Sequence, residues 1–251
     1  MPVIATPVGN SFRHISYIVF CAETGEAAAI DPFHTEQVIE TARERSLVIR
    51  QILNTHEHWD HAGRNEELRE KTGAVVVAAK AAAGVIERVD RMVTRGDVVS
   101  VGTTEELTVL ETPGHTMTHI SFAGTTDGRP FLLCGDTIFG AGVGNCSFGG
   151  HGPTLHRTVE TLRDALPDAT LLYPGHDYLA RNLQFALHVN PGDSMAAAML
   201  LELQCLPSSQ VRFTTWAEEK QINPFLRRRE GEAGSSEEAF LALRSLRDGW
   251  N

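Results

Sequence analysis

Cysteine is scarce in this sequence, long apolar runs are absent, and basic residues are outnumbered by acidic ones. Each shortage excludes something. The four cysteines, Cys21, Cys134, Cys146 and Cys205, are scattered without metal-ligand spacing, so reduced thiols are expected rather than a disulfide framework. No stretch approaches the roughly eighteen uninterrupted apolar residues that a membrane-spanning helix requires, so no span is expected. The formal net charge of −10 argues against nucleic acid or an anionic membrane surface as a partner. Met1-Pro2-Val3-Ile4 offers neither a basic region nor a long apolar run. No signal peptide is therefore expected, and a cytoplasmic location is, with a mitochondrial one left open.

What is present is a chain of 251 residues with ample apolar content for a core. Ile15 to Phe20 and Ala27 to Ile30 read as strands of a hairpin around Glu23-Thr24-Gly25-Glu26. Asp31-Pro32 stops the second strand, and an N-cap is the default role for Asp31, with support of a ligand histidine a compatible one. Helical periodicity runs over residues 35 to 45, followed by a strand over 48–54 and a short polar helix from Asn65 to Lys71 ended near Gly73. Further strands are expected at Ala74 to Ala79, Leu107 to Leu110, Ile120 to Ala123, Phe131 to Cys134 and Leu171 to Tyr173. Residues 80 to 97 carry no readable period. Pro153 opens a helix to about Leu166, and from Tyr178 onward the pattern is helical. The alternation implies an α/β body, residues 1–179, with a small helical C-terminal part, residues 180–251.

The most informative stretch is Thr55-His56-Glu57-His58-Trp59-Asp60-His61, directly after a strand. Neutral imidazole is the commonest protein metal ligand, and a neighbouring aspartate suits zinc, iron or manganese. Idle imidazoles packed at a strand end would be costly to bury, so the cluster reads as a metal site. His115, Asp136 and His176 share its context, each following an apolar strand at a glycine-bearing turn. Together these residues suffice for two ions with a bridging carboxylate.

His56-x-His58-x-Asp60-His61, followed by His115, Asp136 and His176, resembles the metal set of the metallo-β-lactamase superfamily. Gly135-Asp136-Thr137-Ile138-Phe139, Pro174-Gly175-His176-Asp177-Tyr178 with Asn182, and Asn223-Pro224-Phe225-Leu226-Arg227 resemble the hydroxyacylglutathione hydrolase (glyoxalase II) family. The resemblance implies a four-layered αββα metallo-β-lactamase sandwich with a small helical C-terminal domain, in a monomer. It implies that His56, His58 and His115 bind a first divalent ion, that Asp60, His61 and His176 bind a second, and that Asp136 bridges them. Zinc is the default, with iron or manganese possible. The implied reaction is hydrolysis of a hydroxyacyl thioester such as S-D-lactoylglutathione, with Asp60 and Asp136 at the reacting centre and no serine or cysteine nucleophile.

For the substrate's thiol part, the resemblance implies contacts from Tyr178 and from Arg244 and Arg247, three apart on a helix opened by a capping box at Ser235-Ser236-Glu237-Glu238. The loop after Asp136 departs from the family. Asn145 and Ser147 stand where a lysine and an aromatic residue are usual, and Val143 replaces a cysteine. These positions leave the thiol carrier open. Two other readings are an iron-dependent persulfide dioxygenase with an empty second site, and a non-catalytic member that keeps the fold as a binding module. Intact Asp60 and His176 disfavour the former, and seven filled ligand positions the latter.

Overall fold

A computed structural model describes residues 3–7, 12–207, 210–227 and 237–250. Alternation of side chains across each strand builds two sheets, each with both faces covered. The first sheet runs in the order β1 (Val3–Pro7), β2 (Ile15–Phe20), β3 (Glu26–Ile30), β4 (Val48–Leu53), β5 (Val75–Ala79) and β6 (Arg91–Val93). β1, β2 and β3 are antiparallel, and β3 to β6 are parallel. The parallel part needs crossover helices. These are α1 (Thr35–Glu44) and, between β4 and β5, the single turn α2 (Trp59–Ala62) and α3 (Asn65–Thr72), which ends at Gly73 in the left-handed conformation.

The second sheet contains β7 (Val98–Val101), β8 (Glu105–Glu111), β9 (Ile120–Thr126), β10 (Arg129–Gly135) and, beyond a short hairpin of β11 (Ile138–Phe139) and β12 (Gly142–Val143) and helix α4 (Gly152–Ala165), β13 (Leu171–Pro174). Its order is β13-β10-β9-β8-β7, with β13 parallel to β10. Ile15, Tyr17 and Val19 of β2 and Ala28 and Ile30 of β3 face Val99, Leu107, Phe122, Phe131 and Leu133 of the second sheet in one core. The alternate neighbours Ile18, Ala27 and Ala29 turn outward to Val38 and Ala42 of α1 and Leu68 of α3. Leu132 and Cys134 turn outward to Leu155, Val159 and Leu162 of α4. That makes four layers, αββα.

Four more helices follow, α5 (Leu179–Val189), α6 (Ser194–Cys205), α7 (Trp216–Ile222) and α8 (Glu237–Asp248). Trp216, Phe225 and Phe240 join the outer core of the second sheet, so the helical part is packed onto the sandwich. Thr215 and Glu218 form a capping box that starts α7. The box expected at Ser235 and Ser236 lies outside the described residues. Residues 80 to 97 resolve into a 3₁₀ turn, Lys80–Ala82, and the three-residue β6, both too short to print a period. The same brevity hid β7, β11 and β12. The expected N-cap role of Asp31 is corrected, since the N-cap position of α1 is His34, with no side-chain capping bond, and Asp31 sits in the left-handed region at φ 49°.

The helical part contributes one buried carboxylate with a measurable consequence. Glu219 of α7 is fully buried, and burial raises its pKa from 4.5 to about 7. A carboxyl whose folded pKa is raised binds its proton more tightly when folded, so its stabilising effect is complete below 4.5 and is lost as pH rises through about 7. Relative to Glu219→Gln, the wild type should lose on the order of 3 kcal/mol across that window. Urea unfolding of both proteins at several pH values checks this. A difference that stays constant with pH would show that Glu219 titrates as an ordinary carboxylate.

Candidate metal centre

Five strand ends bring the site together. Asp31 follows β3, His56 to His61 follow β4 and wind into α2, His115 follows β8, Asp136 follows β10 and His176 follows β13. The parallel pairs β3/β4 and β10/β13 place two such ends side by side in each sheet, where loops on a rigid frame carry ligands.

Two triangles of donor atoms result. In the first, His56 Nε2 and His115 Nε2 each lie 3.0 Å from His58 Nδ1. In the second, His176 Nε2 lies 3.4 Å from His61 Nε2 and 3.3 Å from Asp60 Oδ2, and the His61–Asp60 distance is 3.8 Å. Ligand atoms about 2.0–2.1 Å from a tetrahedral zinc ion sit about 3.3 Å apart, which is this spacing. Asp136 spans both groups. Its Oδ1 is 3.4 Å from His61 Nε2, and its Oδ2 is 3.5 Å from His115 Nε2 and 3.4 Å from His176 Nε2.

Tautomers decide between mutual hydrogen bonding and metal binding. His58 Nε2–H donates to the Phe148 carbonyl at 2.9 Å, His115 Nδ1–H to the Asn145 carbonyl at 2.7 Å, and His176 Nδ1–H to the Phe12 carbonyl at 2.7 Å. A carbonyl can only accept, so each of these rings keeps a lone pair on its other nitrogen when neutral. His61 Nδ1–H donates to Asp31 Oδ2 at 2.9 Å. His56 Nδ1 lies 3.0 Å from the Thr55 hydroxyl, which itself donates to Asp31 Oδ2 at 2.7 Å, so the ring is the donor there too. Five lone pairs therefore point inward with two carboxylates, and Asp136 Oδ1 is buried with no hydrogen-bond partner. A cation satisfies this arrangement. Outer partners that fix ring tautomers are the usual companions of metal-binding histidines.

The electrostatics agree. Burial alone would raise Asp136, but His176 and His61 hold it well below the usual carboxylate range. Asp60 is likewise held at about 2, against its burial, first by the hydrogen bond with His176. Burial pushes His56 and His115 below the ordinary imidazole range, whereas Asp136 overcomes burial to raise His61 and His176. Asp31 also lies near His56 and His61, but it already accepts from Thr55 N at 2.8 Å, from the Thr55 hydroxyl and from His61, so it orients the site from outside. Two histidines were not singled out from the sequence. His119 accepts the Asp136 backbone N–H at Nε2, 3.1 Å, and stacks on His56 at 5.0 Å. Its place four residues after His115 was the available signal. His14 packs edge-on to His61 and His176, and nothing local in the sequence marks it.

The residues expected at the thiol part divide. Tyr178 stacks on the His176 ring at 5.0 Å and 5°. Asn145 Oδ1 accepts the Ser147 backbone N–H at 3.0 Å, so the Asn145 side chain belongs to the loop's own turn. Arg247 is half-buried between the Phe185 and Trp250 rings and donates to Asn182 Oδ1 at 3.2 Å. Arg244 does not share a solvated face with it. It is buried, and its guanidinium donates to the Val143 and Gly144 carbonyls at 2.9 and 3.3 Å and pairs with Asp248 at 2.8 Å.

Among the described residues, no helix is long and apolar enough to cross a membrane. Comparison with known proteins agrees with the site. The family model of the metallo-β-lactamase superfamily matches residues 11–176, and that of the hydroxyacylglutathione hydrolase C-terminus matches residues 177–250. The chain is 46% identical over 219 residues to hydroxyacylglutathione hydrolase of a Polaromonas species, covering 87% of this chain and 83% of the relative. It is 41% identical over 218 residues to that of Nitrosococcus oceani, covering 87% and 82%. Among solved structures it is similar to ETHE1 from Myxococcus xanthus, with a TM-score of 0.72 and 29% identity over 96% of this chain and 90% of the other. It shares the fold of a metallo-β-lactamase from Staphylococcus aureus, with a TM-score of 0.72 and 24% identity over 100% and 68%. With a dinuclear metal site built on this fold and relatives matched over most of its length, the chain belongs to the hydroxyacylglutathione hydrolase family of the metallo-β-lactamase superfamily.

Proposed function

We propose that the chain hydrolyses the thioester of a hydroxyacyl thiol, S-D-lactoylglutathione or a close relative, to the hydroxy acid and the free thiol. The observation that carries this reading is the convergence of five imidazole lone pairs and two carboxylates with every outer ring nitrogen spent on a protein acceptor. His56, His58 and His115 would hold one ion and Asp60, His61 and His176 the other, with Asp136 within reach of both groups. Zinc fits the ligand spacing, and the same donors suit iron or manganese. Two such ions supply a water acidic enough to ionise near neutral pH and a Lewis acid for the thioester carbonyl. Asp60 and Asp136 keep their charge at neutral pH, so they stay ligands rather than proton donors. A complete second group, with Asp60 and His176 in place, favours hydrolysis over a one-iron dioxygenase.

For the thiol part, Tyr178 supplies a ring stacked on His176, and Arg247 supplies a cation whose pKa is lowered by burial and then by nearby Arg181. A second cation, Arg181, beside Arg247 suits a carboxylate-bearing ligand. Arg244 acts on that subsite through the 143–144 backbone, and Asn145 and Ser147 flank it. The domain division falls near residue 179, supported by the family models meeting at 176 and 177. The four free cysteines suit a reducing compartment, the cytoplasm, and the chain acts as a monomer.

Metal analysis of the purified protein, paired with loss of thioester absorbance from S-D-lactoylglutathione, tests the reading. Two metals per chain with turnover are expected. One iron with oxygen uptake on glutathione persulfide would replace this reading with a dioxygenase. Arg247→Ala should raise KM more than it lowers kcat, because it binds a part of the substrate remote from the carbonyl. An unchanged KM would assign Arg247 to packing against Trp250 alone.

The loop at Asn145 and Ser147 gives a further expected outcome. A charged hydrogen bond contributes roughly 1.5–3 kcal/mol and a neutral one about 1. Without a lysine and a tyrosine there, glutathione binding should be weaker by about 2–4 kcal/mol, roughly 30- to 700-fold in kcat/KM. Asn145→Lys with Ser147→Tyr should then lower KM for S-D-lactoylglutathione. Metal content should stay fixed, because His115 and His58 are held by main-chain carbonyls of Asn145 and Phe148, which any side chain leaves in place. High activity in the unmodified protein with no gain from the pair would mean that other residues hold glutathione equally well.

A further inference from the structure

The backbone of the β11–β12 hairpin is held, residue after residue, by side chains of the helical part. Asn182 of α5 donates to the Gly140 carbonyl at 3.0 Å. The Ala141 N–H donates to both oxygens of Glu219, at 3.0 and 3.1 Å. Asn223 donates from one amide nitrogen to the Gly142 carbonyl at 3.0 Å and to Glu219 at 2.7 Å. Arg244 of α8 takes the next two carbonyls, Val143 and Gly144. Five consecutive residues thus give a main-chain group to four buried side chains from three helices and the turn after α7.

The hairpin is not built to hold itself. It has only two residues in each strand, and a two-stranded ribbon of that size is not stable alone. Its turn includes Ala141 at φ 55°, a left-handed conformation that costs a non-glycine residue about 1–2 kcal/mol. Gly142 makes the grip possible, because a Cβ there would lie 2.5 Å from Asn182 Nδ2. Directly beyond the gripped segment come the Asn145 and Phe148 carbonyls, which accept from His115 and His58. Gly144 closes the connection, since its N–H donates to Thr137 at 3.2 Å and a Cβ on it would meet Asp136 O at 2.1 Å.

We propose that Asn182, Glu219, Asn223 and Arg244 are positioning residues for the first ion: by gripping residues 140–144 they fix the two carbonyls that orient His115 and His58. The inference rests on the metal-site reading above, and it gives the helical part a second task besides thiol binding. It explains why Asn223, remote from the metals, is buried and fully bonded. His61 and His176 take their orientation from Asp31 and Phe12, outside this chain of contacts, so the effect falls on one ion and not on both.

The test is zinc affinity of the metal-free protein, read by competition with a chromogenic chelator, which needs no turnover. Asn223→Ala and Arg244→Ala should each weaken one of the two zinc equivalents by about 10- to 100-fold, the usual cost of losing an outer partner of a metal ligand. The other equivalent should be unchanged. Arg244→Lys, which keeps a donor for one carbonyl, should recover part of the loss. Circular dichroism establishes that each variant is folded, and Glu219→Gln supplies a milder change should an alanine variant not fold. Unchanged zinc binding in all folded variants, with only KM for the thioester raised, would overturn the positioning role and leave the hydrolase reading standing. Equal weakening of both equivalents would overturn it as well, because that is general loosening of the fold. A wild-type chain that takes up no zinc, iron or manganese would overturn the metal reading and this inference with it.

Discussion

Asp60→Ala should leave about one metal per chain and lower kcat for the thioester by roughly 10²- to 10³-fold. Among the described residues, Asp60 Oδ2 is the only carboxylate oxygen confined to the second group, 3.3 Å from His176 Nε2, and its removal leaves two histidines and a share of Asp136. Two imidazoles and part of a bridging carboxylate are too few to hold an ion against water. A Lewis acid contributes several kcal/mol of charge stabilisation, and about 3–4 kcal/mol corresponds to that rate loss. The first group loses no ligand, so one equivalent should remain tightly bound. Metal content by plasma emission and kcat from the same preparation check the prediction together. Full activity in a variant shown to hold one metal would remove the two-ion mechanism.

Asp31→Ala should have the largest effect on stability. The carboxylate is 2% exposed and accepts from Thr55 N, the Thr55 hydroxyl and His61 Nδ1 at 2.8, 2.7 and 2.9 Å. Losing it orphans a backbone N–H and a ring N–H, each at a cost of about 1–3 kcal/mol, and the left-handed backbone adds about 1 more for alanine. A loss of about 3–5 kcal/mol should lower Tm by roughly 10 °C in a chain of this size. Zinc affinity of the second ion should fall about 10- to 100-fold, because His61 is no longer held in one tautomer. Asp31→Asn separates the contributions. Asparagine tolerates the left-handed region and still accepts the Thr55 N–H, but its NH2, standing where Oδ2 was, accepts from neither Thr55 Oγ1 nor His61. It should recover most of the stability and little of the metal affinity. If Tm and zinc affinity in Asp31→Ala match the wild type, Asp31 is a passive turn residue.

The cluster of donor residues was legible because ligand chemistry is local. His56, His58, Asp60 and His61 are crowded into one turn after a buried strand, and a cluster of donors has no cheaper explanation than an ion. His115, Asp136 and His176 were legible as strand-end residues at Pro-Gly or Gly-Asp turns, and the structure brings all three to the cluster. The long strands and the helices followed from alternation and period, since Ile18 and Val19 must face opposite sides wherever the strand lies.

What the sequence by itself determined was therefore the set of donors and the layers that carry them. Only the tertiary structure decided which partner each of them has. Asp31 reads as a cap by a local rule, with support of a ligand histidine as the compatible role, and only its partners 24 and 30 residues away, Thr55 and His61, decide for the second. Arg244 read as one of a pair on a helix face, but its guanidinium is spent on carbonyls 100 and 101 residues earlier. His14 carried no local signal and His119 only its spacing from His115, and burial against His61 and His56 is what gives them a place. Hydrogen bonds between residues far apart in the chain leave no periodic trace. Their cost when unmade, about 1–3 kcal/mol for each buried group, is what makes them decide the geometry of the site.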